Sequence, residues 1–107
     1  IRSAISKHTK AILCVHLAGW PCEMDEIMTI ANEFNLYVVE DCAQAHGTKF
    51  KNKHVGTFGS LGTFSFFPGK NLGGFGDGGA IVTNSKSSYL ICKRLRNHGA
   101  LKKYDHK

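Results

Sequence analysis

The chain has 107 residues, 42% of them hydrophobic, with four cysteines and a formal net charge of +6. That is enough for one domain with a core, and no apolar run approaches the ~20 residues of a membrane-spanning helix. The cysteines form no CxxC pair, which argues against zinc-ribbon chemistry, and the basic residues are dispersed with no interleaved aromatic stripe, which argues against a nucleic-acid surface.

Residues 11–17 form a short apolar run before Gly19-Trp20-Pro21 and read as a buried parallel strand. A helix is predicted over 23–34, with Met24, Ile27, Met28, Ala31 and Phe34 on one face at the 3.6-residue period. Glu23, Asp25 and Glu26 suit its positive N-terminal end, and Asn35 suits its stop. Residues 36–40 read as a second buried strand, so strand, helix and strand together predict a parallel sheet. Residues 48–55 are polar, basic and β-prone, as in a hairpin outside that sheet. Residues 62–67 and 79–83 read as two more strands. A helix over 86–96 follows, capped by Asn84 or Ser85 and ending before Gly99. The stretch 73–79 holds five glycines between closely flanking strands, which marks a functional loop.

Two segments carry chemistry. Asp41 follows the strand 36–40 at its carboxyl end, where open α/β sheets bind ligands. It could equally be the N-cap of a helix starting at Cys42. Gln44 lies one helical turn further on and would complete an Asp-x-x-Gln capping box. In the second segment, Lys70 stands just after the strand 62–67, five residues beyond Ser65. A rigidly held amine with a hydroxyl nearby is what a Schiff-base enzyme needs to reach an aldehyde and hold a phosphate. Ser65 alternates with Phe64 and Phe66 and so faces the other way. Lys70 is followed by Asn71, so this is no nucleotide-hydrolase phosphate loop.

Val39-Glu40-Asp41-Cys42-Ala43-Gln44-Ala45-His46-Gly47 and Phe64-Ser65-Phe66-Phe67-Pro68-Gly69-Lys70-Asn71-Leu72 together resemble the DegT/DnrJ/EryC1/StrS family. These are pyridoxal-phosphate-dependent aminotransferases of nucleotide-linked keto-sugars, and the resemblance runs over nearly the whole chain. It implies an α/β fold: part of the large domain of a fold-type I enzyme like aspartate aminotransferase, a mostly parallel sheet with flanking helices. The chain opens Ile1-Arg2-Ser3 without an initiator methionine and is far shorter than such enzymes. It is therefore expected to be an internal fragment, residues 1–107 of the cofactor-binding domain. A second phosphate loop would lie N-terminal to it and a small domain C-terminal.

By the same resemblance, Lys70 holds pyridoxal 5'-phosphate and moves the proton between substrate and cofactor carbons. Asp41 pairs with the cofactor's ring nitrogen, Gln44 hydrogen-bonds near its ring oxygen, and Ser65 holds its phosphate. Glu40 is the lesser candidate for the ring nitrogen and could equally be a polar strand end. His46 is expected to hydrogen-bond behind the site. The amino donor is expected to be glutamate, the kinetics ping-pong, the active unit a homodimer and the setting cytoplasmic. No metal, nucleic acid or membrane is implied. Gly76-Asp77-Gly78-Gly79 replaces the family's frequent Gly-Glu-Gly-Gly and resembles members that aminate the sugar at C3. The tail Arg96-Asn97-His98-Gly99 with Lys103-Tyr104-Asp105-His106 points the same way. Sugar dehydratases of the family have histidine where Lys70 stands, so lysine favours amination.

Other readings remain open at this stage. The chain could be a truncated or degenerate copy that binds without chemistry. A metal module on His8, His16, His46 and His54 lacks ligand spacing. Cys14 and Cys42 are expected to be buried thiols.

Overall fold

The computed structural model describes residues 1–102 and 105–106, with side chains through residue 100. Lys103 and Tyr104, and the side chains of Asp105 and His106, lie outside the described residues, so the tail motif is not placed.

A four-stranded sheet forms the centre. Its order is β1 (Ala11–Val15), β2 (Tyr37–Asp41), β5 (Leu61–Ser65) and β6 (Gly79–Val82). The first three run parallel, and β6 runs antiparallel to β5. In sequence between β2 and β5, and outside this sheet, comes a small hairpin of β3 (Lys49–Phe50) and β4 (Lys53–His54), where the polar, β-prone stretch is expected to turn. Lys51 and Asn52 make that turn with positive φ, at 45° and 66°. After β6 comes α2 (Lys86–Arg96), then a short pair, β7 (Ala100–Lys102) and β8 (Asp105–His106), which the sequence pattern does not announce. Ser85 caps α2: its Oγ accepts the N–H of Ser88 at 3.2 Å.

Helix α1 (Met24–Glu33) links β1 to β2 and covers one face of the sheet. It buries Met24, Ile27, Ile30 and Ala31. Ile30 takes the place expected for Phe34, which is the C-terminal cap and 40% exposed. The chain turns there because Asn35 adopts φ 51°. The buried cluster continues through Cys14, Val38, Cys42, Ala45, Phe50 and Val55. Burial of such side chains contributes about 1.5–3 kcal/mol each.

The strand registers sort the sheet into two faces. Cys14, Glu40 and Gly62 are aligned on the α1 side, with Val38 next to them along β2. Val15, Asp41, Thr63 and Ile81 are aligned on the other side. That second face is open: Leu13 is 65% exposed, Tyr37 69% and Ile81 54%. A three-layered α/β domain would cover it with further helices. Among the described residues, no helix is long and apolar enough to cross a membrane.

Candidate active site

The site begins at the carboxyl end of β2. Asp41 is the last residue of that strand, and its side chain shares the open face of the sheet with Thr63. Ser65 lies two residues beyond Thr63 along β5, so the period of two puts it on the same face. Two of the predicted site residues are thus brought to one side of neighbouring strands. Asp41 Oδ1 accepts the N–H of Ala43 at 2.9 Å. This is a local turn with no helix behind it, because residues 42–48 form successive turns. The helix N-cap alternative for Asp41 is therefore overturned.

Gln44 departs from its local expectation as well. Its Oε1 accepts the backbone N–H of Ala18 at 2.7 Å, so the capping-box reading fails. Ala18 has φ 52° and Gly19 φ 80°, and this tight turn after β1 aims the Ala18 N–H at Gln44. A β-carbon on Gly19 would press on the Gln44 carbonyl, so the close approach uses the missing side chain. With Oε1 engaged, the amide N–H₂ is the end of Gln44 left for a ligand.

Beyond β5 the chain turns at Phe67, whose carbonyl accepts the N–H of Lys70 at 2.9 Å. That turn leaves Lys70 half-buried on the same cleft as Gln44. Both line a cleft of about 420 Å³, together with Ala18, Ala43, Phe67, Gly69 and Asn71. Asp41 and Ser65 do not line this cleft; Asp41 is linked to it by the hydrogen bond its Oδ1 accepts from the N–H of the lining residue Ala43. The Ser65 Oγ accepts the Phe67 N–H at 3.3 Å, which leaves its O–H to donate elsewhere. A larger groove of about 610 Å³ lies between β5, β6 and α2, but none of these four side chains lines it.

The donor set suits a phosphorylated pyridine aldehyde. Lys70 and Gln44 bring an amine and an amide N–H₂ to one cleft, and Asp41 and Ser65 bring a carboxylate and a hydroxyl to one face of the neighbouring strands. Nothing in the set calls for a metal. His16, Glu40 and Cys42 do place ligand atoms within 4.8 Å of one another. Their nitrogen and oxygen atoms, however, already have protein partners.

Those partners correct the view of Glu40 as a polar strand end. Glu40 is fully buried. Its Oε1 accepts from Gly56 N–H at 2.6 Å and lies 3.2 Å from His16 Nε2. Its Oε2 accepts from the N–H groups of Phe58 at 2.8 Å and Gly59 at 2.7 Å. His16 is buried too, and its Nδ1 accepts the N–H of Cys22 at 3.1 Å. That bond assigns the proton to Nε2, which then donates to Glu40. Removing the Glu40 carboxylate would leave several N–H groups without partners, at about 1–3 kcal/mol for each that stays buried. A fully apolar α1-facing core would have no place for this pair. Nothing in the local pattern distinguishes Glu40 from a solvated strand end, because its partners come from segments remote in sequence.

The His46 side chain has no hydrogen-bond partner among the described residues. Both of its ring nitrogens are buried. Its ring lies 5.5 Å from that of Phe64 and 5.7 Å from that of Phe66, on the side of β5 away from Ser65. Cys14 and Cys42 are buried as expected, and burial pushes both thiols up to about 12.

The sequence profile of the DegT/DnrJ/EryC1/StrS aminotransferase family matches residues 1–107. The chain is 50% identical over 99 residues to GDP-perosamine synthase of Escherichia coli O157:H7, covering 92% of this chain and 27% of that protein. It is 45% identical over 106 residues to dTDP-3-amino-3,4,6-trideoxy-alpha-D-glucose transaminase of Streptomyces venezuelae, covering 99% and 28%. The crystal structure of NtdA from Bacillus subtilis with bound cofactor PMP superposes with a TM-score of 0.89 at 36% identity, covering all of this chain and 24% of that one. The chain thus spans a little over a quarter of the length of the curated relatives it matches. With its α/β sheet, and with Lys70 and Gln44 on one cleft, the chain belongs to the DegT/DnrJ/EryC1/StrS aminotransferase family.

Proposed function

We propose that the protein containing this chain transfers an amino group to a nucleotide-linked keto-sugar, using pyridoxal phosphate held against Lys70. Residues 1–107 would be part of its large, cofactor-binding domain. A second phosphate loop and the small domain would come from the rest of the protein. The observation that carries this reading is the shared cleft of Lys70 and Gln44, two residues from separate motifs joined only by the fold.

When bound, pyridoxal phosphate supplies an aldehyde for amine exchange and a protonated ring that draws electrons from the substrate carbon. The turn at Phe67 holds the Lys70 backbone, and the Lys70 amine would anchor that aldehyde and would accept and return a proton at Nζ. The Asp41 carboxylate holds the proton of the ring nitrogen. Gln44 Nε2–H donates to the ring oxygen, its orientation set by the Ala18 N–H. Ser65 O–H donates to the phosphate. Cofactor phosphates are commonly held by hydroxyl and backbone N–H groups in this way.

The amino donor is proposed to be glutamate, the assembly a homodimer, and the aminated position C3. The last rests on Gly76-Asp77-Gly78-Gly79. The cytoplasm is the proposed setting, since four unpaired cysteines suit a reducing compartment. The test is a spectrum of the full-length protein with pyridoxal phosphate, before and after borohydride, followed by peptide mapping. The pyridoxyl mass is expected on Lys70. A mass on any other lysine would overturn the assignment.

A further inference from the structure

We propose that His16 and Glu40 are positioning residues for Asp41. The proposal rests on the cofactor role given to Asp41 above, and concerns how that carboxylate is held.

His16 grips two consecutive residues of β2. Its backbone N–H donates to the Asp41 carbonyl at 3.1 Å, and its Nε2 meets the Glu40 carboxylate at 3.2 Å. The ring cannot swing, because its other nitrogen is tied to Cys22 N–H. On the far side of β2, Glu40 draws in the loop 56–59 through three backbone N–H groups. That loop leads directly into β5, and β5 closes the arrangement. Thr63 Oγ1 donates to the Glu40 carbonyl at 3.3 Å, and the Thr63 carbonyl accepts the N–H of Cys42 at 2.8 Å. The residues on either side of Asp41 are therefore each fixed, one through its carboxylate and carbonyl, the other through its N–H.

Gly62 makes this geometry possible. It pairs with Glu40 in the register, and a β-carbon there would run into the backbone of Gly56. The loop can reach the Glu40 carboxylate only because β5 has no side chain at that point. Four N–H donors on two oxygens fill the acceptor sites of an ionised carboxylate. The result is a rigid floor, with Glu40 facing α1 and Asp41 facing the open side. Groups that orient a binding residue from behind set its geometry without touching the ligand.

The test uses the full-length protein with its cofactor. Visible circular dichroism reads how the bound ring is seated, and titration gives the cofactor Kd. Asp41→Asn is measured first as the reference. Glu40→Gln keeps the volume but points an amide N–H₂ at two N–H donors. It is expected to weaken cofactor binding about tenfold, the lower end for groups that orient metal ligands from behind. It should also move the dichroism band in the direction seen for Asp41→Asn, at a temperature where the variant is folded. His16→Leu should behave like Glu40→Gln. His16→Gln, whose amide can donate where Nε2–H does, should restore most of the band. The proposal is overturned if Glu40→Gln and His16→Leu melt earlier yet keep the wild-type band and Kd. If Glu40→Gln does not fold, the two His16 variants decide it. If Asp41→Asn itself leaves band and Kd unchanged, the cofactor role of Asp41 fails, and the positioning proposal falls with it.

Discussion

The side-chain oxygen of Gln44 accepts the backbone N–H of Ala18 at 2.7 Å, joining the turn after β1 to the turn after β2 where both line the cleft. The bond fixes which end of the amide faces a ligand, so the two ends of Gln44 can be tested separately. Gln44→Glu keeps an acceptor for Ala18 but loses the N–H₂ donor. It is expected to leave thermal stability near wild type while weakening cofactor binding in the full-length protein. Gln44→Ala loses both and should also lower stability, by about 1 kcal/mol. Equal melting temperatures for the two variants would contradict the structural half of this expectation.

Lys70→Ala is expected to abolish both the bound-cofactor absorbance and transamination, since one amine serves as anchor and proton carrier. Lys70→Arg should fail as well, because guanidinium stays protonated and forms no imine. Lys49, Lys51 and Lys53 are exposed on and around the β3–β4 hairpin and act as controls. Their alanine variants should retain the spectrum.

Asp41→Asn removes the carboxylate charge at the end of β2 while preserving an oxygen for the Ala43 N–H. Turnover is expected to fall about a hundredfold, corresponding to ~3 kcal/mol of barrier. Rapid-mixing measurement of the half-reaction is the appropriate readout. Near-wild-type turnover would remove Asp41 from the chemistry.

Gly62→Ala is expected to destabilise the fold by about 1–3 kcal/mol, because the added methyl meets backbone atoms of Gly56 that no rotamer can move aside. Gly76→Ala is the matched control, since a β-carbon there meets nothing within 4 Å. Denaturant midpoints of the two variants should separate clearly.

The buried thiols give a pH dependence with a definite sign. Burial raises Cys14 and Cys42 from 9.0 to about 12, so the unfolded chain loses these protons before the folded one does. Their contribution is fully present below pH 9.0 and is lost as the pH rises towards about 12. Urea midpoints should therefore fall across that window, more steeply than in a Cys14→Ala, Cys42→Ala double variant. Parallel slopes would show that other groups account for the decline.

Much of this was legible in the sequence because it is local. The apolar run 11–17, the 3.6-residue period of α1 and the serine cap of α2 each follow from neighbouring residues, and the structure places those elements within a few positions. The two motifs also proposed Lys70, Asp41, Gln44 and Ser65 as site residues, of which the fold brings Lys70 and Gln44 to one cleft. Tertiary structure decided what depends on remote partners. The antiparallel direction of β6 follows from how the chain returns after the glycine-rich stretch, and periodicity does not encode direction. Phe34 and Ile30 exchange places because the helix ends before the pattern does. Gln44 turns from a helix cap into a bridge because a positive-φ turn at Ala18 presents an N–H to it. Glu40 looks like a strand end next to Asp41, yet it is buried, because His16 and the loop 56–59 together supply four N–H donors. A carboxylate can leave water only when such donors converge on it, and only the folded chain brings them together.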